Sequence, residues 1–158
     1  MIKIGFGGGC HWCTEAVFQA LRGVTSVAQG FIAAPPPHDS FSEAALVAFD
    51  PDVIPLSVLI NVHLCTHAST SPHKMRGKYR SAIYLDGTPE AQVRAVLDAA
   101  QPDFDAPLIT SVLPLVAFRA SPAQFQNYYQ TDAARPFCTT YIDPKLAKIR
   151  KEFAAFAR

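Results

Sequence analysis

Long apolar runs are missing from this sequence of 158 residues. No stretch approaches the ~20 consecutive apolar residues that a membrane-spanning helix needs, so we expect no membrane association. The first residues lead directly into a strand pattern, without the regions of a signal peptide, and we expect a cytoplasmic protein. Hydrophobic residues make up 49% and charged residues 17% of the chain. This balance excludes a disordered chain and predicts a single folded domain over residues 1–158.

The sequence also has little excess of either charge. Fourteen Lys and Arg residues against thirteen Asp and Glu residues give a formal net charge of +1. Proteins that bind nucleic acids usually carry a clear basic excess, so we expect no nucleic-acid partner. We further expect a monomer.

Cysteine is scarce, with only Cys10, Cys13, Cys65 and Cys138. Four cysteines are too few to cross-link a chain of this length through a disulfide framework. In a reducing compartment they are core, metal-binding or catalytic residues more often than structural bridges. The spacing Cys10-x-x-Cys13 favours catalysis as the role to examine first.

Strand and helix patterns alternate along the chain. Apolar residues predict strands at 3–6, 24–32, 44–49, 81–85, 108–112 and 115–118. Helices are predicted at 14–21, 55–63 and 91–100, followed by a last amphipathic helix after Asp143-Pro144 whose apolar face includes Phe153 and Phe156. The order is not a regular βαβ series, so the fold class is α/β or α+β with a mixed sheet.

The segment Phe6–Cys13 combines a strand end, three glycines and a cysteine at the start of a predicted helix. Unpaired N–H groups and the helix dipole favour an anion there, so the Cys10 thiol should ionise more easily than a free one. The thiolate is the nucleophilic form of cysteine. A glycine turn before a buried cysteine would give the same pattern without catalysis. Trp12 is either a core residue or an apolar wall for a substrate.

Two other functions fit parts of this pattern. A thioredoxin-like dithiol oxidoreductase also places a Cys-x-x-Cys pair at the start of a helix. A zinc-binding module would use Cys10 and Cys13 with ligands from the segment His63-Leu64-Cys65-Thr66-His67. The ~50 residues between the two halves make that second alternative unusual for zinc.

The sequence resembles the peptide methionine sulfoxide reductases that act on the S epimer. The resemblance begins at the glycine turn with its Cys-aromatic-Trp segment and continues in order through nearly the whole chain. The matching residues are Glu15, Phe18, Gly23-Val24, Gly30-Phe31, Glu43, Phe49-Asp50-Pro51, His63, Tyr79-Arg80-Ser81-Ala82-Ile83, Phe118, Gln126, Tyr128, Phe137-Cys138 and a following Pro-Lys-Leu.

This resemblance implies a ferredoxin-like, two-layer fold and a thiol-dependent repair of methionine sulfoxide, free or in proteins, without a cofactor. Cys10 would attack the sulfoxide sulfur and become a sulfenic acid. Glu43, at the edge of an apolar strand where burial would keep it protonated, would give a proton to the departing oxygen. Tyr79 would donate a hydrogen bond to that oxygen, and Trp12 would contact the substrate's methyl group.

The resemblance also implies that a second thiol closes a disulfide with Cys10, which thioredoxin or a similar dithiol then reduces. Cys138 is the expected partner, because residues 131–158 read as a C-terminal segment in which an irregular loop carries this cysteine ahead of a terminal helix. Cys13, the nearest thiol in sequence, is the alternative. Cys65 is expected to be inert core.

Several positions depart from the family pattern. His11 stands where phenylalanine is usual, and Lys74 stands where an aspartate usually contacts the substrate's amine. The chain before Glu43 is shortened, which removes a second oxygen-binding tyrosine and leaves Phe41 near its place. We take His11, Trp12, Phe41 and Lys74 as substrate-binding candidates. A cation at position 74 should repel an α-ammonium group.

Overall fold

A computed structural model describes all residues, Met1–Arg158. Its strands are β1 (Ile2–Gly7), β2 (Val24–Ala33), β3 (Ser42–Phe49), β4 (Ala82–Leu85), β5 (Ser111–Pro114) and β6 (Ala117–Ala120). Its α-helices are α1 (His11–Gln19), α2 (Leu56–Thr66), α3 (Glu90–Ala100), α4 (Tyr128–Thr131) and α5 (Asp143–Glu152). Short 3-10 turns lie at Lys74–Gly77, Gln101–Asp103, Ala123–Phe125 and Ala154–Phe156, and a π-helical turn spans Cys138–Ile142.

The six strands form one sheet in the order β5-β4-β1-β3-β2-β6. The four central strands are antiparallel, with α1 between β1 and β2 and α2 between β3 and β4. This order and connectivity are the ferredoxin-like arrangement. β5 adds in parallel to β4, and β6 adds antiparallel to β2. The predicted α+β fold with a mixed, ferredoxin-like sheet is therefore confirmed.

The main core lies between the sheet and the helices. Side chains alternate along β1, so Ile4 and Phe6 share one face, and the ring of Phe6 stacks on Phe18 of α1 with centroids 4.5 Å apart. The same core includes buried residues of α2, α3 and α5. The opposite face of the sheet carries a smaller apolar cluster around Ile32 and Tyr84. None of the helices has the length and apolar character required to cross a bilayer.

Two predicted strand positions were wrong by two or three residues. The strands predicted at 108–112 and 115–118 lie instead at Ser111–Pro114 and Ala117–Ala120. The sequence placed a break at Pro114, but this proline lies within β5. Since β5 is an edge strand, a residue without an N–H group is tolerated there, and the N–H of Leu115 continues the pairing by donating to Leu85 O.

The last helix, α5, ends at Glu152 and is therefore shorter than predicted. Phe153 and Phe156 still pack against the core, but they do so from the 3-10 turn that follows the helix. The backbone at this end pairs with the segment that follows α1, where the N–H of Arg22 donates to Phe156 O over 2.7 Å. This backbone pairing is not compatible with continuation of the α-helix, so the helix ends before it.

Candidate active site

Cys10 caps the N-terminus of α1, directly after the glycine turn that leaves β1. Hydrogen bonds to two of its carbonyl oxygens fix the conformation of the turn. His63 Nε2 donates to Gly7 O over 2.8 Å, and Arg76 Nη1 donates to Gly8 O over 2.9 Å. The ring of His67 lies so close to Gly8 that a Cβ atom there would come within 2.4 Å of it. Glycine is therefore required at this position.

The environment of Cys10 lowers the pKa of its thiol below the ordinary value. The largest cause is a hydrogen bond from the Cys13 thiol, and the backbone N–H groups of Trp12 and Cys13 contribute in the same direction. Burial and the charge of Glu43 act against this lowering. The pKa of Cys13 is raised in turn, because its proton is engaged with Cys10 and the thiol is buried.

Glu43 is the second residue of β3 and lies opposite Phe31 of β2. Its side chain is only 9% exposed. Oε1 accepts a hydrogen bond from the backbone N–H of His11 over 3.2 Å and lies 3.5 Å from His11 Nε2. Oε2 lies 3.7 Å from Lys78 Nζ. The fold thus brings a buried carboxyl group to the first turn of α1, beside the nucleophile candidate.

Lys78 connects Glu43 to Tyr79 and is not among the site residues predicted from the sequence. Its ammonium group lies 5.1 Å from the centre of the Tyr79 ring, and Tyr79 is half-buried. A hydrogen bond with Tyr79 and the negative charge of Glu43 raise the pKa of Lys78. The only sequence signal for Lys78 is its place directly before the Tyr-Arg-Ser segment. The structure therefore groups Glu43, Lys78 and Tyr79.

The rings of Trp12, Tyr128 and Phe137 form an aromatic wall on the other side of the start of α1. The ring of Trp12 stacks on Tyr128 with centroids 4.0 Å apart, and Phe137 meets Trp12 edge-on at 5.4 Å. The Glu15 carboxylate, which is fully buried, accepts hydrogen bonds from the N–H groups of Asn127 and Tyr128 over 2.8 and 3.0 Å. Glu15 thus positions Tyr128 against Trp12.

Of the remaining substrate-binding candidates, His11 and Phe41 border one group of side chains and Lys74 lies outside it. His11 contacts Phe31 edge-on, and the guanidinium of Arg119 covers both Phe31 and Phe41 at 5.2 and 4.6 Å. Phe41 is 40% exposed and forms the rim of this group. Lys74 is exposed in its 3-10 turn and makes no hydrogen bond or ion pair with Cys10, Glu43 or Tyr79.

Two expectations about the other cysteines were wrong. The segment around Cys138 is not an open loop but a π-helical turn, and this thiol is fully buried in the core. The turn is fixed because Phe137 packs on the aromatic wall and Ile142 enters the core. Cys65 is partly exposed on α2 rather than buried, and desolvation still raises the pKa of its thiol.

A cavity of about 130 Å³ lies behind the two thiols, lined by Cys10, Cys13, His63, His67 and Lys145, among others. Lys145 donates to Thr66 O, and burial lowers the pKa of its ammonium group. Burial also lowers the pKa of His67 to about 4 and that of His63 well below its ordinary value. No group of three or more His, Cys, Asp or Glu side chains is arranged to hold a metal ion.

The family model described as "Peptide methionine sulfoxide reductase" matches residues 2–157 of the chain. The chain belongs to the peptide methionine sulfoxide reductase family. It is 33% identical to the peptide methionine sulfoxide reductase MsrA of Deinococcus radiodurans, over 94% of this chain and 80% of that protein. It is 35% identical to MsrA of Chromobacterium violaceum, over 98% of this chain and 97% of that protein.

Solved structures show the same fold at lower sequence identity. Methionine sulfoxide reductase A of Corynebacterium diphtheriae superposes with a TM-score of 0.72 at 22% identity, covering 83% of this chain and 74% of that one. Reduced Mxr1 of Saccharomyces cerevisiae superposes with a TM-score of 0.74 at 20% identity, covering 88% and 90%. As a member of this family, the protein is an oxidoreductase that acts on sulfur and reduces methionine sulfoxide. Membership decides between this function and the thioredoxin-like alternative.

Proposed function

We propose that this reductase acts on the S epimer of methionine sulfoxide, with Cys10 as nucleophile and Glu43 as proton donor. The observation that carries the proposal is the start of α1, where a thiol of lowered pKa lies beside a buried carboxyl group. The S epimer follows from the resemblance described above. We further propose that Tyr79, which lies beside Lys78 and so near Glu43, donates a hydrogen bond to the sulfoxide oxygen.

The proposed step is balanced in atoms and charge. The Cys10 thiolate attacks the sulfoxide sulfur, and Glu43 gives one proton to the oxygen. The sulfur–oxygen bond of the substrate breaks, the oxygen passes to Cys10, and methionine leaves. Cys10 is then a sulfenic acid, while the substrate sulfur has been reduced by two electrons. Trp12, with Tyr128 behind it, provides the apolar surface for the substrate's methyl group.

For the disulfide, the geometry favours Cys13 over Cys138 as the first partner of Cys10. Cys13 lies one turn after Cys10 and its backbone N–H donates to Cys10 O over 3.1 Å, so attack of its thiol on the sulfenic acid, with loss of water, needs little motion. Cys138 belongs to the same core cluster as Cys13, and its charge contributes to the raised pKa of the Cys13 thiol. We propose that Cys138 then attacks Cys13, which frees Cys10 and moves the disulfide to the C-terminal segment.

Thioredoxin or a similar dithiol is the proposed reductant of that disulfide. Mxr1 of Saccharomyces cerevisiae in complex with Trx2 supports this proposal through its shared fold, with a TM-score of 0.61 at 21% identity over 80% of this chain and 83% of that one. All four cysteines are free, which suits a reducing compartment such as the cytoplasm. We keep the monomer as the proposed state and methionine sulfoxide, free or in proteins, as the substrate.

A single-turnover assay without added dithiol tests the proposal. Wild-type enzyme should convert the S epimer but not the R epimer, as the free amino acid and in a blocked peptide. Cys10→Ser should abolish methionine formation, whereas the matched Cys65→Ser should leave it near normal. Glu43→Gln should lower the rate by ~10²–10⁴-fold, the usual contribution of a general acid. Turnover in Cys10→Ser, or a loss below tenfold in Glu43→Gln, would contradict the assignment.

Peptide mapping tests the disulfide order. One equivalent of sulfoxide should link Cys10 to Cys13 in the Cys138→Ser variant, and Cys13 to Cys138 in the wild type. A Cys10–Cys138 link in the wild type, with normal dithiol-dependent turnover in Cys13→Ser, would instead show that Cys138 is the direct partner.

A further inference from the structure

A pocket of about 390 Å³ opens between the loop from β2 to β3, the segment before β4 and the start of β5. Four of the side chains that line it can carry positive charge, and we call it the basic pocket: they are His38, His73, Arg76 and Arg80. None of the lining residues is Asp or Glu, while three serine residues add hydroxyl groups. Guanidinium groups with hydroxyl donors around them are the groups that proteins use to bind carboxylates and phosphates.

Arg80 brings a buried cation without a counter-charge to this pocket. The residue is 7% exposed, and no carboxylate forms an ion pair with it. Nη2 donates to Ile32 O and Ser40 O over 3.0 Å each, and Nε donates to the Tyr84 hydroxyl over 3.0 Å. Nη1 makes no hydrogen bond within the protein, so its two N–H groups are free to bind a ligand in the pocket that Arg80 lines. A buried charge with free donors is stabilised by an anion that binds them.

Arg76 places a second guanidinium on the basic pocket and joins the pocket to the glycine turn. Nε donates to Ser71 O, and Nη1 donates to Gly8 O and Tyr79 O, each over 2.9 Å. These carbonyl oxygens orient the guanidinium but are neutral, and Arg76 also has no ion pair with a carboxylate. Two guanidinium charges therefore line one pocket without compensation, and an anion there would interact favourably with both.

The wall of the basic pocket that carries His38 is already ordered. The N–H of Ala34 donates to His38 O over 3.0 Å, and the N–H of His38 donates to Pro35 O over 2.9 Å. The hydrogen bond from Arg80 to Ser40 O holds the next part of the same loop. A pocket whose walls are fixed in this way requires little ordering when a ligand binds.

We propose that the basic pocket binds a small oxyanion, a phosphate or carboxylate group, between the guanidinium groups of Arg76 and Arg80. This binding site goes beyond the reduction proposed above and does not depend on the roles of Cys10 and Glu43. Two sources supply such a group: a free ion such as phosphate, and an acidic side chain of a protein substrate. The second source is within reach, because Arg76 binds Gly8 O and the Cα atoms of Gly8 and Cys10 are at most about 7 Å apart.

Calorimetric titration of the whole, reduced enzyme with inorganic phosphate at constant ionic strength tests the site without any turnover. We expect saturable binding of one phosphate per chain. Ser40→Asp places a carboxylate beside Arg80 and should weaken phosphate binding by about tenfold or more, because it competes for the free N–H groups. The matched neutral variant Ser40→Asn should bind phosphate as the wild type does. Ser40 is exposed, so both variants should keep the wild-type circular dichroism spectrum. Binding that does not saturate, or equal affinity in the two variants, would overturn the proposal.

Arginine-labelled ¹⁵N NMR locates the bound phosphate. The Nε–H signals of Arg76 and Arg80 should shift during the titration. Arg94, whose side chain is 57% exposed on α3, is the control and should not shift. Shifts confined to Arg94 and other exposed arginines would show binding outside the pocket and would contradict the assignment.

Reduction of two blocked peptides distinguishes the sources of the oxyanion. If an acidic side chain of the substrate occupies the basic pocket, a peptide with glutamate beside the sulfoxide should have a higher kcat/KM than its glutamine counterpart. Phosphate should then compete with the glutamate peptide, and Ser40→Asp should remove the preference. Equal efficiency on both peptides, together with saturable phosphate binding, assigns the pocket to a free oxyanion. Since phosphate binding involves no reduction, its result is distinguishable from a failure of the roles proposed for Cys10 and Glu43.

Discussion

The ring of Trp12 lies nearly parallel to the ring of Tyr128, with an interplanar angle of 5° and centroids 4.0 Å apart. The two residues are far apart in sequence, and Glu15 joins them. Its carboxylate, one helical turn after Trp12, binds the backbone N–H of Tyr128. The stack therefore depends on a buried carboxylate that holds the backbone of Tyr128.

Glu15→Gln should therefore disturb both stability and the aromatic wall. The amide nitrogen cannot accept a hydrogen bond, so a partly buried N–H of Asn127 or Tyr128 loses its partner. Loss of a hydrogen bond to a charged group costs about 2 kcal/mol. Urea unfolding should show this loss, and near-UV circular dichroism should show a weakened Trp12 signal. Glu152→Gln, at an exposed glutamate, is the control and should change neither.

Substitution at position 13 should change the pKa of Cys10, because Cys13 is the largest cause of its lowering. Cys13→Ala removes the largest cause of the lowered pKa, so the pKa of Cys10 should rise towards its ordinary value. Cys13→Ser retains a hydroxyl donor and should preserve most of the effect. The pH dependence of Cys10 alkylation by iodoacetamide measures this difference. Equal midpoints in Cys13→Ala and the wild type would show that the helix start alone activates Cys10.

Acid should destabilise the fold through its buried histidines. The pKa of His67 is about 4 in the folded protein, below the ordinary value of 6.5, so the unfolded chain binds more protons between these values. Stability is therefore lost as pH falls from about 6.5 to about 4, by up to ~3 kcal/mol from His67. His63 acts in the same direction.

Chemical denaturation across this pH range checks the acid effect. His67→Gln should flatten the dependence, whereas His73→Gln, at an exposed histidine, should leave it as in the wild type. An unchanged slope in His67→Gln would exclude His67 as its source.

Lys74 predicts a preference for blocked or peptide-bound sulfoxide over the free amino acid. A cation near the α-ammonium of the free substrate lowers its affinity, but solvent screening at this exposed position keeps the effect under ~1 kcal/mol. Lys74→Asp should therefore raise kcat/KM for the free amino acid by less than tenfold and leave the blocked peptide unchanged. Equal efficiency on both substrates in the wild type, unaltered in Lys74→Asp, would remove Lys74 from substrate selection.

Much of the fold could be predicted from local patterns. The central strands and α1 to α3 were found because apolar periodicity, glycine turns and cap residues act within a few residues of one another. The edge strands were misplaced because Pro114 was read as the end of a strand. Proline interrupts a strand only where its missing N–H would have to pair, and a sequence does not show which strand lies at an edge. The end of α5 was missed because the residues that follow it pair with the segment after α1, which lies more than a hundred residues earlier.

In the candidate site, too, the residues that are contiguous in sequence could be predicted and the contacts between distant residues could not. Cys10 was found because the glycine turn, the cysteine and the helix start are contiguous. The burial of Glu43 could be only an expectation, since it depends on β2 and α1 closing over the start of β3. The contacts of Glu43 with His11 and Lys78 join residues more than thirty positions apart. Cys138 was read as part of a loop because a π-helical turn has no simple periodic signature.

The hydrogen bonds that His63 and Arg76 make to the glycine turn lower the entropic cost of binding substrate. Three successive glycines would normally sample many backbone conformations, and ordering them around a substrate would consume part of the binding free energy. Here Gly7 O and Gly8 O already have partners, and His67 fills the space beside Gly8. The turn is thus preorganised, and the entropy of fixing it is lost once during folding rather than again with every molecule of sulfoxide.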